Sequence, residues 1–454
     1  MAAILAVKDI DNEKFKALVN QFTVVPKKTI YDPKPKSICV FDLDEKERIV
    51  YLPMRYAEKY GATIRNDYPK TNVKFIFDLY TKETDPKGRG RDQNIVANQA
   101  IKTLIEKGSV MLACFTGYGK TMMAAYLAAY FGYKTAILSH MDVIKDQFVE
   151  EINRFTGGTA KIQCVQGKTK LDPTADIYIM GVIKVTTMPR ERLKEIGMLI
   201  IDELHLCTET ALTKASNRFT PKLFVGLSAT PDRKDGLDKI IHIHFGGPAE
   251  FIIRTEKKPF TVIRKWTNIK PTLQYVQVNG HVVIKWSEVI NSLNQNKSFW
   301  KDIVDTVFEY ADEKIIVLCE RQELAQGVFD MLVEKKESVE LLIGTKKKWD
   351  RSKRVLIAGQ KKGGVGLNDP DLTMLILACD TTDVRQFEGR IRTTNNIVVD
   401  YRHNYHSLDK HGAMRDEWYL ERGATLKDAG EREPSNGKSK KVTQQKRFLN
   451  PKEV

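Results

Sequence analysis

The stretch Cys114-Phe-Thr-Gly-Tyr-Gly-Lys-Thr121 decides how the chain is read. An apolar run, Ser109-Val-Met-Leu-Ala113, precedes it and reads as a buried strand; Met122-Met-Ala-Ala-Tyr-Leu-Ala-Ala-Tyr130 follows and reads as a helix. Strand, glycine-bearing turn, Gly-Lys-Thr and helix together make a phosphate-binding loop. Gly117 and Gly119 let the backbone turn tightly and aim its N–H groups at phosphate. The helix N-terminus adds a partial positive charge. Lys120 is placed to reach the β- and γ-phosphates, and the Thr121 hydroxyl to ligate Mg²⁺. Thr116 and Tyr118 complete the expected nucleotide-binding set in this loop. Cys114 stands where Gly or Ala is usual, and is small enough to fit.

Working outward, apolar runs alternate with amphipathic stretches as far as about Phe245. Thr135–Ser139, Asp176–Met180, Met198–Ile201 and Leu223–Leu227 read as strands, and Asp142–Phe155 as a helix. That alternation predicts an α/β fold, a parallel sheet with helices on both faces. Gly246-Gly-Pro248 opens a connection, and a second set follows. It comprises helix Phe299–Tyr310, strand Ile315–Leu318, helix Glu323–Val333, strands Val355–Ala358 and Met374–Ala378, helix Thr382–Glu388 and strand Ile397–Asp400. This second set has no further Gly-Lys-Thr between a strand and a helix, so it is expected to bind no nucleotide of its own.

Before residue 85 the sequence carries no catalytic signature; Ser37–Phe41 and Arg48–Leu52 read as a strand pair around the acidic turn Asp42–Glu45. The expected division is an N-terminal accessory domain 1–85, a nucleotide-binding domain 86–247, a second α/β domain 248–425 with a C-terminal helix, and a basic disordered tail 426–454. The 454 residues carry 73 Lys+Arg against 58 Asp+Glu, a net charge of +15, which favours a polyanionic partner. The six cysteines are scattered with no Cys-x-x-Cys, which points to a reducing intracellular compartment and away from zinc. Met1–Val7 is too short for a signal segment, and no run approaches the roughly 18 apolar residues of a membrane span.

Ile200-Ile-Asp-Glu-Leu-His205 ends a strand in two acids. After a phosphate loop, such a strand end holds Mg²⁺ and activates the attacking water; Asp202 is assigned to the metal and Glu203 to the base. His205 reads as a packing and hydrogen-bonding residue. Gly226-Leu-Ser-Ala-Thr-Pro231 is another strand end, where Ser228 and Thr230 are hydroxyls placed to sense the neighbouring acids or His205.

Gly-Tyr-Gly-Lys-Thr121, Asp202-Glu-Leu-His205 and Gly226-Leu-Ser-Ala-Thr-Pro-Asp-Arg-Lys-Asp-Gly-Leu237, in that order, resemble superfamily 2 helicases. Ser228 to Gly246 is most similar to the branch holding phage UvsW, the XPB-type repair helicases and the poxvirus transcript-release helicase. The resemblance covers about residues 90–425 and implies two tandem RecA-like domains with ATP and Mg²⁺ in the cleft between them. It assigns adenine recognition to Gln93 or Gln99, with Gln93 preferred, and a nucleic-acid backbone motif to Ser139-His140 and Gln147-Phe148. Gly366 and Asn368 match a glycine-rich motif that contacts phosphate and nucleotide. Gln386-Phe-Glu-Gly-Arg-Ile-Arg392 resembles the motif that supplies arginine fingers. Its arginines usually lie three apart; Arg390 and Arg392 lie two apart, and Arg390 aligns by its distance from Gln386.

The resemblance implies an ATP-dependent translocase on DNA, or on RNA as the second choice, acting as a monomer without a membrane. It further implies a large-DNA-virus protein of transcription termination, repair or recombination, in contact with transcription machinery and found in host cytoplasm, nucleus or virion. Displacement of bound complexes without unwinding, and a nucleotide-gated binding module that scarcely hydrolyses ATP, are the alternatives. Lys346-Lys-Lys-Trp-Asp-Arg351 with Lys353 and Arg354 reads either as a strand grip by phosphate contact and stacking or as a solvated loop.

Overall fold

Seven strands between Ser109 and Arg254 lie side by side in one wholly parallel sheet. Its strand order is Ile252–Arg254, Ser109–Cys114, Leu223–Ser228, Met198–Ile201, Thr135–Ser139, Ile177–Gly181, Ile162–Val165. The five inner strands are continuous apolar runs rather than alternating ones because residues pointing either way are buried. The computed structural model describes residues 3–85, 91–139, 143–166, 169–204, 209–229, 236–255, 258–346, 348–364, 369, 371–391 and 396–431.

The chain divides into two units, Met1–Thr255 and Glu256–Val454. In the second, another wholly parallel seven-stranded sheet runs Val339–Leu342, Val355–Gly359, Ile315–Cys319, Met374–Ala378, Ile397–His403, Phe260–Thr267, Ala424–Ala429. Each sheet carries one edge strand past the boundary read from the sequence, Ile252–Arg254 beyond 247 and Ala424–Ala429 reaching beyond 425. Both edge strands are short and half-exposed, so they lack the apolar run that marks a central strand. Among the described residues no helix is long and apolar enough to cross a membrane.

The N-terminal segment forms a four-stranded antiparallel sheet in the order Asp42–Asp44, Ile49–Leu52, Ala3–Ala6, Thr63–Ile64. The expected partner of Ile49–Leu52 was Ser37–Phe41 with the acids in the turn. Instead the acids are on the strand: Asp42 pairs with Tyr51 and Asp44 with Ile49, and the turn falls on Glu45–Arg48. Asp44 Oδ1 accepts from the backbone N–H groups of Lys46 and Glu47, 3.1 Å each, and Arg48 takes φ 52° to close the turn. Ile38–Cys39 pairs with Thr23–Val24. The segment shares one hydrophobic core with the nucleotide-binding sheet, from Leu5, Phe22 and Leu52 through Met54 to Met111 and Leu138. Arg190 ties the two polar rims, with its guanidinium 3.8 Å from the Tyr51 ring centre and paired to Asp42.

In the second unit the C-terminal helix His406–Glu421 is fixed by buried charge. Arg415 donates to Asp400 twice at 2.9 Å, and Arg402 donates to the same carboxylate at 2.8 Å. All three side chains are at most 2% exposed. The two arginines hold the Asp400 carboxyl below its ordinary value although burial alone would raise it. The basic cluster at Lys346–Arg354 is only partly tied into the fold: Trp349 packs on the core, Arg354 pairs with Glu337 and Lys346 with Glu340, while Lys348 and Arg351 are exposed. Lys347 lies outside the described residues.

Candidate active site

The strand Ser109–Cys114 delivers the phosphate loop at the C-terminal edge of the first sheet, and the helix Lys120–Phe131 starts directly after it. Gly117 and Gly119 take φ 83° and 105°, a region that side chains avoid. At Gly119 a Cβ would also collide with Gln93 Nε2, so glycine is required there twice over. Behind the loop stands a set of buried polar contacts. The Gln93 carboxamide accepts from Tyr80 N–H at 3.1 Å and donates to the Tyr118 carbonyl at 2.9 Å. Arg91 donates to the Gly117 carbonyl at 3.1 Å while its Nε pairs with Asp85 at 3.0 Å. The Tyr118 hydroxyl donates to the Asp92 carbonyl at 2.6 Å. Low local dielectric strengthens such bonds, so the loop is held in shape before ligand arrives.

These contacts involve two of the expected nucleotide-binding residues. Tyr118 is 1% exposed, its ring edge-on to Phe115, so the side chain braces the loop. Gln93 is fully buried, with one hydrogen bond at each end of its amide, and so also braces the loop. Gln99, the other candidate, accepts from Arg254 at 2.9 Å at the sheet's edge strand. Periodicity could not separate the two glutamines, since both lie on one helix, Gln93–Lys107.

Lys120 donates to the Cys114 carbonyl at 3.3 Å and lies 3.9 Å from the Glu203 carboxylate. Burial pushes the Cys114 thiol up to about 12, so this unusual residue acts as a small apolar filler. Asp202 and Glu203 follow the strand Met198–Ile201. Glu203 has φ 45°, an uncommon conformation costing a bulky residue about 1–3 kcal/mol. That turn brings its side chain back toward Lys120. Asp202 is buried, and desolvation together with the Glu203 carboxylate pushes it up to about 7 while Lys120 pulls it down. A carboxylate so placed lacks full countercharge and suits a hard cation.

The structure therefore brings Lys120, Asp202 and Glu203 together, with Thr121 beginning the same helix as Lys120. Ser228 ends the neighbouring strand, fully buried. Ser139 and Phe148 are buried too, which removes their side chains from any exposed contact in this state. In the second unit Arg390 follows the short helix Arg385–Glu388, which also carries the Gln386 backbone. The expected helix Thr382–Glu388 begins later, because Asp383 caps the N–H of Arg385 at 3.0 Å. Glu388, which sequence reasoning passed over, is buried and pairs with Arg422 at 3.2 Å and Lys258 at 3.9 Å. It anchors this motif to the end of the C-terminal helix. His140, His205, Thr230, Gly366, Asn368 and Arg392 lie outside the described residues, as does the side chain of Gln147.

Residues 89–233 match the family described as "Type III restriction enzyme, res subunit". The chain is 30% identical over 410 residues to helicase 161L of Invertebrate iridescent virus 6, covering 83% of this chain and 89% of that one. It is 27% identical over 353 residues to helicase 055L of Frog virus 3, covering 74% of this chain and 78% of that one. Among solved structures, S. cerevisiae Dbp5 bound to RNA and ADP BeF3 superposes with a TM-score of 0.53 at 14% identity, over 73% of this chain and 89% of that one. That likeness establishes the fold, two tandem RecA-like units. With its phosphate loop, its two acids and relatives spanning most of its length, the chain belongs to the superfamily 2 ATP-dependent helicases, in the group found in large DNA viruses.

Proposed function

We propose that the chain hydrolyses Mg-ATP to move along a nucleic-acid strand, DNA before RNA, and so acts in viral transcription termination, repair or recombination. One observation carries the catalytic half: Lys120 and Glu203 stand 3.9 Å apart at the phosphate loop, beside a buried Asp202. Among the described residues no cluster of three or more His, Cys, Asp or Glu stands together, and Mg²⁺ needs none, since it takes one or two protein ligands plus phosphates and water. Thr121 and Asp202 fit that role by donor chemistry and would hold the ion, which when bound neutralises charge on the β- and γ-phosphates. Lys120 neutralises the same phosphates, which draws it away from Glu203. Glu203, released from that pair, accepts the proton of the attacking water. Arg390 and Arg392 act as the fingers, Gly366 and Asn368 as second-unit contacts, and Gln386 as their companion.

The scattered thiols support a reducing compartment of the infected cell, and residues 1–85 serve as an accessory element for a monomeric enzyme in contact with transcription machinery. ATPase assays with single-stranded DNA, duplex DNA and RNA test the reading. A forked duplex beside a substrate carrying a bound protein then separates unwinding from displacement. Turnover indifferent to every polymer would end the translocase reading.

Glu203→Gln is expected to keep ATP binding and to lower turnover by roughly 10²–10⁴, because an amide cannot take the proton. Nucleotide binding by fluorescence and phosphate release measured together check it; loss of binding with hydrolysis intact would mean the acids' roles are exchanged. Affinity for nucleic acid is expected to fall steeply with salt through counterion release. Removing residues 434–454, which carry Lys438, Lys440, Lys441, Lys446 and Arg447, should flatten that slope. An unchanged slope assigns the tail to solvent.

A further inference from the structure

A second strand contact emerges in a part of the chain that the helicase motifs do not use. Between the paired strands Thr23–Val24 and Ile38–Cys39 the backbone makes an excursion, Val25-Pro-Lys-Lys-Thr-Ile-Tyr-Asp-Pro-Lys-Pro-Lys-Ser37. Its ends are pinned by the strand pair and by the Val40 N–H donating to the Phe22 carbonyl at 2.7 Å. Its tip is a closed turn: Thr29 N–H donates to the Asp32 carbonyl at 3.0 Å, and Asp32 N–H to the Thr29 hydroxyl at 2.9 Å. Three prolines stiffen the rest. Tyr31 stands on that tip 66% exposed, with Ile30 44% exposed beside it. Four exposed lysines, Lys27, Lys28, Lys34 and Lys36, flank them in the sequence against one acid, Asp32. An exposed aromatic on an ordered turn, with cations close by in the sequence, has the composition of a stacking contact for an unpaired base beside phosphate contacts.

The strand Ile38–Cys39 packs against the helix Glu209–Ser216, which follows Asp202 and Glu203 in the chain. Lys27 lies against Gly236, in the connection after Ser228; a Cβ there would sit 3.1 Å from Lys27 Cγ, and φ is +80°. The excursion is thus built onto the two connections that leave the first sheet at the edge bearing the active site.

We propose that this excursion is a single-stranded nucleic-acid grip, with Tyr31 stacking on a base and Lys28, Lys34 and Lys36 contacting phosphates. Charge selects a polyanion, and a lone exposed ring between lysines selects unpaired bases over a duplex, whose base faces are already stacked. The proposal rests on the strand-translocase reading and names one place where the strand is held.

The test is fluorescence anisotropy with labelled oligo(dT), oligo(rU) of equal length and a blunt duplex, across a salt series, on the full chain. The triple change of Lys28, Lys34 and Lys36 to Ala should weaken oligo(dT) binding at least about tenfold. It should also make the slope of log K against log salt shallower by about 2, three contacts at ~0.7 each. Tyr31→Ala should weaken it roughly fivefold or more with the slope unchanged, since stacking releases no ions. The triple change to Arg should restore the slope. ATP hydrolysis without nucleic acid should stay at the parent rate in all of them. Equal loss on blunt duplex would overturn the preference for unpaired bases, and unchanged affinity and slope would overturn the grip. Those results require a parent that binds oligo(dT); a parent that binds none of the three polymers would overturn the translocase reading itself, and the grip with it.

Discussion

Lys120→Ala is expected to lower ATP turnover by at least about 10³-fold, to the background of a pure preparation. Lys120 is only 10% exposed, and it is the cation nearest Glu203 in the phosphate loop. In the resting protein it partners that carboxylate and the Cys114 carbonyl, so it is already in position when phosphate arrives. Removal has two consequences of the same sign. The transferring phosphoryl loses its direct cation, and Asp202 and Glu203 face one another with less neutralisation, which makes two ionised carboxylates harder to hold. Phosphate release measured beside a thermal melt checks it. Near-parent turnover in a folded variant would remove the phosphate-loop assignment altogether.

Arg390→Ala should cost on the order of 10³ in nucleic-acid-stimulated turnover, the lower end of what an arginine finger supplies. Nucleotide affinity at rest should barely change, because a finger acts on charge that spreads during transfer. Arg390 is half-buried just beyond a helix that stops at Glu388, and its N–H donates to the Phe387 carbonyl at 3.0 Å. That early stop matters for Arg392. On a continuous helix one residue of displacement would turn a side chain by about 100°; the described helix ends at Glu388, and Arg392 itself lies outside the described residues. A smaller loss at Arg392→Ala remains the expectation from the alignment with Gln386. Comparing kcat and nucleotide Kd for both single variants orders them, and a larger loss at Arg392 would reverse the alignment.

The sheets were legible because burial on both faces leaves an unbroken apolar run, and runs such as Met198–Ile201 and Met374–Ala378 leave no choice of element. Lys120, Asp202 and Glu203 were legible because each sits at a fixed offset from a strand end. What the sequence hid is of a different kind. Edge strands such as Ile252–Arg254 bury one face at most and carry no period. The hairpin acids Asp42 and Asp44 resemble a turn until the Asp44 carboxylate is seen capping the real one. The bracing of the loop by Gln93, Arg91 and Asp85 joins residues across 26 positions or fewer, yet no pattern along the chain records who donates to whom.

The Asp400 site also constrains how this lineage can vary. Removing any one of Asp400, Arg402 or Arg415 leaves buried charge with fewer partners, and breaking such a buried pair costs up to about 3–5 kcal/mol, whereas exchanging the group for apolar residues together is often neutral. There is no short downhill path between those two states. Descendants of this sequence should therefore inherit the acid and both bases as a block or lack all of them, and a relative carrying only part of the set should be found to compensate at Asp416 or Asp380, the acids that also touch Arg402 and Arg415.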